Sequence, residues 1–166
     1  MIIPFFVLPF FILTTSITDH SINDVRMLYI KSSTDERSCE KLIALLQTYD
    51  ENNNSLLAGY KACATMMRAN FKINPFVKLF NFSAGKNLLE NCIEADPENI
   101  ELRFLRLAVQ NNVPEFLNYR NSIPDDKQLL LNSISTITDL QLKSIITTFL
   151  KNCNLLTQSE KQNLIK

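Results

Sequence analysis

Residues 85–102 encode a helix–turn–helix corner and read Gly-Lys-Asn-Leu-Leu-Glu-Asn-Cys-Ile-Glu-Ala-Asp-Pro-Glu-Asn-Ile-Glu-Leu. An amphipathic segment runs as far as Ala95, and Asp96 and Pro97 then predict the end of one helix and the start of the next. The Asp96 side chain is suited to cap the new helix. Pro97 suits the first helical position, where an N–H would have no partner within the helix. The corner therefore predicts two consecutive helices joined by a short turn.

Similar signals predict helices along the rest of the chain, since capping residues precede apolar side chains at helical spacing. The predicted helix starts are Ser21, Ser33, Ser55, Ser83, Ser122, Thr138 and Thr157. Pro75 ends the helix that begins at Ser55, and residues 76–80 predict only a short helical turn before the long helix from Ser83 to Ala95. No stretch alternates polar and apolar residues as a half-buried strand does. We therefore predict an all-α fold.

Composition excludes several classes of protein. The 166 residues are 46% apolar and 20% charged, which is ordinary for a folded domain, and 17 basic residues balance 17 acidic ones. A chain with zero net charge lacks the one-signed field that nucleic-acid binding needs, so we expect no nucleic-acid partner. With only two glycines, Gly59 and Gly85, a glycine-rich phosphate loop is also excluded.

The amino terminus resembles a secretory signal peptide. Ile2 to Leu13 is uninterruptedly apolar, and Thr14 to Ser16 supplies small residues at which cleavage can occur. The run is shorter than the ~20 residues that span a bilayer as a helix. We therefore expect residues 1–16 to be a cleaved signal peptide and residues 17–166 to form a single helical domain without an integral membrane span. The expected location is periplasmic or extracellular.

Four cysteines are present, at positions 39, 63, 92 and 153, and full oxidation would allow three pairings. Each cysteine lies on an apolar helical face, where a free thiol commonly serves as a small core residue. Buried free thiols are favoured over disulfides for this reason. No pair has the close spacing of a redox or zinc motif, and we expect no metal or cofactor.

Residues 55–97 resemble a tetratricopeptide-repeat unit. The residues that carry the resemblance are Tyr60, Cys63, Ala64 and Met67 on the first helix, Gly85, Leu89 and Cys92 on the second, and the closing Pro97. Residues 72–81 form an insertion of about nine residues beyond the ~34-residue repeat. The resemblance implies antiparallel helical hairpins stacked as a short array, a protein or peptide partner, and no catalysis. The chain is also similar to small exported bacterial helical proteins, and that similarity implies no activity.

The insertion carries the strongest candidate for a binding site. It interleaves aromatic and basic side chains, and the candidate partner-binding residues in and beside it are Phe71, Phe76, Lys78, Phe80 and Phe82. One interpretation makes them an aromatic partner-binding loop or a pocket for a lipid or other apolar molecule. The other, which we favour on the sequence, makes the rings a cap on the hydrophobic core, because aromatic side chains supply much core area.

Arg103 and Arg106 share a helix face and are added to the candidate residues, since two guanidinium groups can hold an acidic group of a partner. A solvated face, or pairing with Glu98 and Glu101, is the favoured alternative.

Catalytic motifs are scarce. The single histidine, His20, lies in the predicted tail, which argues against a catalytic triad or a two-histidine metal site. Glu90, Glu94 and Asp96 could act as paired carboxylates only if they line a cleft, and a hydrolase rests on them alone. The sequence thus favours a noncatalytic, exported interaction domain for a protein or peptide, with an apolar-ligand pocket as the alternative.

Overall fold

The computed structural model describes residues 21–164, and within that range it contains eight α-helices and no β-strand. The helices are α1 (Ile22–Ser32), α2 (Glu36–Leu45), α3 (Ser55–Arg68), α4 (Pro75–Ala95), α5 (Ile100–Asn112), α6 (Ile123–Ser133), α7 (Leu140–Asn152) and α8 (Gln158–Asn163). Two 3₁₀ turns, Ala69–Phe71 and Glu115–Leu117, lie between them. The predicted all-α fold is confirmed.

Side-chain caps begin most of these helices. Ser21 caps α1 as predicted, and Thr157 and Glu160 form the predicted capping box of α8. Three predicted caps are displaced, because Asp35, Asn54 and Asp139 occupy the positions directly before α2, α3 and α7. Their side chains accept hydrogen bonds from backbone N–H groups of the first helical turn. Short side chains with a carbonyl or carboxylate oxygen accept hydrogen bonds from these N–H groups well. The capping side chain nearest to the apolar stripe therefore determines where the helix begins.

The corner at residues 96–99 is built differently from the prediction. Asn99, and not Asp96, caps α5, and its Oδ1 accepts hydrogen bonds from the backbone N–H groups of Glu101 and Leu102, each at 3.1 Å. Asp96 ends α4, and its carboxylate accepts a hydrogen bond from Nδ2 of Asn99 at 2.8 Å. The carboxylate therefore orients the capping residue and does not cap the helix itself.

The start of helix α4 also differs from the prediction. It begins at Pro75, not at Ser83, and continues without interruption to Ala95. Asn74 caps it, with Oδ1 accepting from the N–H of Phe76 at 2.9 Å, and Pro75 occupies the first turn. The cap and the proline together start a helix, so the insertion extends α4 by additional turns and does not form a separate segment.

The most extensive helix contact joins α3 and α4. Gly85 makes this contact possible, because a Cβ atom there would lie 2.5 Å from the carbonyl oxygen of Ala62 and 2.6 Å from Cγ of Met66. The sequence-adjacent pairs α1–α2 and α5–α6 also pack together, and α5 contacts α3. The core is formed by apolar residues of all the helices from α1 to α7. Stacking in the manner of tetratricopeptide repeats stays a prediction.

All four cysteines are buried free thiols, in agreement with the favoured prediction. Burial raises the pKa of the Cys39 thiol to about 11 and that of the Cys92 thiol to about 12. These thiols are therefore neutral core side chains near neutral pH and not nucleophiles, since the thiolate is the reactive form.

The predicted signal peptide, residues 1–16, and His20 lie outside the described residues. Within residues 21–164, no helix combines the length and the apolar character that a membrane crossing requires.

Candidate functional site

A cavity of about 1080 Å³ lies between α1, α3, α4, α5 and α7 and is partly open to solvent. Helix α4 contributes Pro75, Lys78, Leu79 and Phe82, whose spacing of three and four residues places them on one helix face. Extension of α4 towards Pro75 therefore builds one wall of the cavity. The 3₁₀ turn at Glu115–Leu117 lies at another edge and adds Phe116 and Leu117.

The interior surface of the cavity is apolar. The lining residues with buried side chains are Tyr29, Cys63, Met66, Phe82, Phe104, Ala108 and Val113. Met67, Val109, Ile145 and Phe149 line it as well, and they are partly buried against the core. A concave surface with this composition gains free energy when an apolar molecule displaces water from it.

The edge of the cavity is mixed in character. Ile30, Leu79 and Phe116 are exposed apolar side chains there. Lys78 is the one charged side chain among the described lining residues, and it forms no salt bridge within residues 21–164. The exposed, uncharged polar residues that line it are Ser33, Asn70, Asn112, Ser144, Thr148 and Asn152. The cavity therefore combines an apolar interior with a partly polar edge.

The four candidate phenylalanines separate into two pairs. Phe82 is 9% exposed in the cavity wall, and Phe71 is partly buried against the core. Phe76 and Phe80 are 81% and 72% exposed, lie one helical turn apart and do not line the cavity. Only the first pair covers the core. Phe76 and Phe80 lie on a different face of α4 from Phe82 because of the helical spacing.

Arg103 and Arg106 hold an acidic group of the chain itself. Asp126 of α6 is fully buried, and Arg106 donates two hydrogen bonds to it, from Nε at 2.7 Å and from a terminal nitrogen at 2.9 Å. Nε of Arg103 donates to the same carboxylate. Neither arginine pairs with Glu98 or Glu101, so their charge stabilises the contact between α5 and α6.

Glu90 completes this cluster on the α4 side. It accepts a hydrogen bond from Arg106 at 2.7 Å and another from the hydroxyl of Tyr119. Burial alone would lower the pKa of Arg106, but hydrogen bonding to Asp126 and the charges of both carboxylates raise it above its usual value. Burial and the bond to Glu90 likewise raise the pKa of Tyr119.

The carboxylates that a hydrolase would need are placed apart from the cavity. Glu90, Glu94 and Asp96 are not among its lining residues, and Glu90 and Asp96 are occupied by the contacts described above. The described residues also contain no group of three His, Cys, Asp or Glu side chains that could hold a metal ion.

A second buried ion pair fixes α1 beside α5. Arg26 donates from Nε and a terminal nitrogen to the two carboxylate oxygens of Glu101, each at 2.7 Å, and a third nitrogen donates to Asp139 at 2.7 Å. The Tyr60 hydroxyl also donates to Glu101. Hydrogen bonding to Glu101 raises the pKa of Arg26 despite burial. Because α1 and α5 both line the cavity, this bidentate pair helps to set its width.

Most of the cavity was not predicted from the sequence. Tyr29, Phe104, Val109 and Phe149 line it, and none was a candidate site residue. One signal was present: α5 carries apolar residues on more than one face, with Phe104 and Ala108 beside the stripe that contains Leu102. A helix that is apolar over a wide arc needs cover on several sides. Which side forms an open cavity depends on the packing of distant helices.

Comparison with protein-family models gives no match for this chain, and comparisons with curated proteins and with solved structures give none either.

Proposed function

We propose that this protein is a noncatalytic, exported binding protein whose cavity holds an apolar small molecule. The observation that carries the proposal is the cavity of about 1080 Å³ with its interior of buried apolar side chains. Ligand pockets of proteins are about 300–1,000 Å³, mostly apolar, with few polar groups that orient the ligand. The interior of the cavity has this character, and its size suits a lipid-like or polycyclic molecule.

The packing around the cavity supports a preformed site. Two buried ion-pair clusters, centred on Glu101 and Asp126, fix α1 and α6 to α5. Gly85 allows the close contact between α3 and α4. Walls that are held in this way lose little conformational entropy when a ligand binds, and this favours affinity.

Substitution of Val109 by tryptophan tests the proposal. Val109 is partly exposed on the cavity wall, so the indole of Val109→Trp fills space that a ligand would occupy. We expect binding of the apolar fluorophore N-phenyl-1-naphthylamine to weaken at least tenfold, roughly 1.4 kcal/mol. The measurement is a fluorescence titration of purified protein, with circular dichroism to verify the fold.

Val77→Trp is the matched control. Val77 lies on the same part of α4 as the cavity wall but does not line the cavity, and it is exposed. Its replacement adds the same side chain outside the site, so fluorophore affinity should equal that of the unaltered protein. Equal affinity in both variants would refute a site in the cavity.

A protein or peptide partner is the second candidate, and one surface favours it. Ile73 lies just before α4, and Phe76, Val77 and Phe80 lie in its first turns. All four are exposed apolar residues outside the cavity. Exposed apolar patches are typical of interaction surfaces. The same two variants separate the candidates: a partner on this surface is lost with Val77→Trp and retained with Val109→Trp.

A further inference from the structure

Tyr29 is an unpaired hydrogen-bond donor in the cavity. Its side chain is 8% exposed, and it lines the cavity from α1. No residue within 21–164 forms a hydrogen bond with its hydroxyl. Burial, and not a hydrogen bond, is the main cause of the raised pKa of Tyr29. The neighbouring Tyr60 provides the contrast, because its hydroxyl donates to Glu101.

The cavity is the open space that Tyr29 lines. In the described part of the chain, Gln110 Oε1 is the polar side-chain atom that is fully enclosed and without a partner. The Tyr29 hydroxyl, by contrast, is not fully enclosed and retains contact with open space. Tyr29 lines the large cavity and does not line the smaller cleft between α1 and α2.

A polar group in an apolar interior costs free energy unless it is hydrogen-bonded. The ring of Tyr29 is held in place by an edge-to-face contact with Tyr60, at 5.3 Å between ring centroids. A fixed donor in an otherwise apolar interior is the arrangement that orients a ligand in a binding pocket. Burial also raises the pKa of Tyr29 well above its usual value, so the phenol keeps its proton at neutral pH.

We infer that the ligand is an apolar molecule with an uncharged carbonyl or hydroxyl oxygen, and that this oxygen accepts a hydrogen bond from Tyr29. The inference rests on the proposed function and names its ligand class. An uncharged group is favoured because the charged lining residue, Lys78, is exposed on α4, and an ionised group without a partner would be costly in the apolar interior.

Two probes of equal shape test the inference. 2-Acetylnaphthalene carries a ketone oxygen, and 2-isopropenylnaphthalene has a CH₂ group in its place. We expect Tyr29→Phe to weaken binding of the ketone by about two- to tenfold, as the loss of one hydrogen bond does, and to leave binding of the hydrocarbon unchanged. The measurement is calorimetric titration of the full chain.

Stability provides the control for a merely structural role. Tyr29→Phe should leave the urea midpoint unchanged, because the hydroxyl has no partner in the protein. Tyr60→Phe should lower the midpoint, because it removes the bond to Glu101.

The outcomes separate this inference from the proposed function. Binding of both probes with no selective effect of Tyr29→Phe would overturn the inference and leave the cavity as a site for apolar molecules. Absence of binding by either probe to the unaltered protein would count against both.

Discussion

Asp126→Asn is expected to destabilise the protein by about 3–5 kcal/mol, the usual effect of removing one partner of a buried ion pair. Asp126 is 0% exposed and accepts hydrogen bonds from Arg103 and Arg106. Asparagine has the same shape as aspartate but no charge. Its NH₂ group would replace the second carboxylate oxygen, so a donor would face the guanidinium donors in place of an acceptor. The free energy of unfolding in urea measures the loss.

Asp125→Asn is the control for this prediction. Asp125 is exposed, and it lies in the same first turn of α6, so both substitutions remove one negative charge from the same helix end. We expect the control to change stability by less than about 0.5 kcal/mol. Similar losses in both variants would mean that the helix dipole, and not the arginine cluster, accounts for the role of Asp126.

Gly85→Ala is expected to destabilise the protein by about 1–3 kcal/mol, the usual cost of overpacking. In an isolated helix the same change would stabilise by about 1 kcal/mol, because alanine is the better helix former. Here the new Cβ would meet the Ala62 carbonyl oxygen at 2.5 Å, and backbone atoms yield only if α3 and α4 move apart. Thermal and urea unfolding measure the sign directly.

Gly59→Ala serves as the comparison. Its new Cβ would lie 2.3 Å from Cδ2 of Leu102, but the next atoms are 3.6 Å and 3.7 Å away and all three belong to side chains. A side chain can rotate at smaller cost than a helix can move, so the loss should be smaller than for Gly85→Ala. A gain in stability from Gly85→Ala would contradict the close contact between α3 and α4.

Local signals in the sequence predict the helices well. Ser21 and the Thr157–Glu160 box mark helix starts in the structure, and Gly85 occupies a close-packed position. Such features depend on a few neighbouring residues and on the spacing of one helix face. The errors arose where two local signals compete, as at Pro75, where a proline that ends one helix also begins the next.

The candidate site was less predictable, because it depends on contacts between distant parts of the chain. By its sequence position Asp126 is a first-turn acid of α6, and only the fold places it beside Arg106, 20 residues away. The cavity combines Tyr29 of α1 with Phe149 of α7. No local pattern determines which apolar faces remain uncovered when these helices meet.

Methionine methyl NMR tests the central claim most directly. Met66 and Met67 line the cavity, whereas Met27 is exposed on α1 and outside it. Naphthalene titrated into protein labelled with ¹³C at the methionine methyl groups should shift the Met66 and Met67 signals saturably and leave that of Met27 unchanged. Unaltered Met66 and Met67 signals, or a shift of Met27 alone, would contradict an apolar binding site in this cavity.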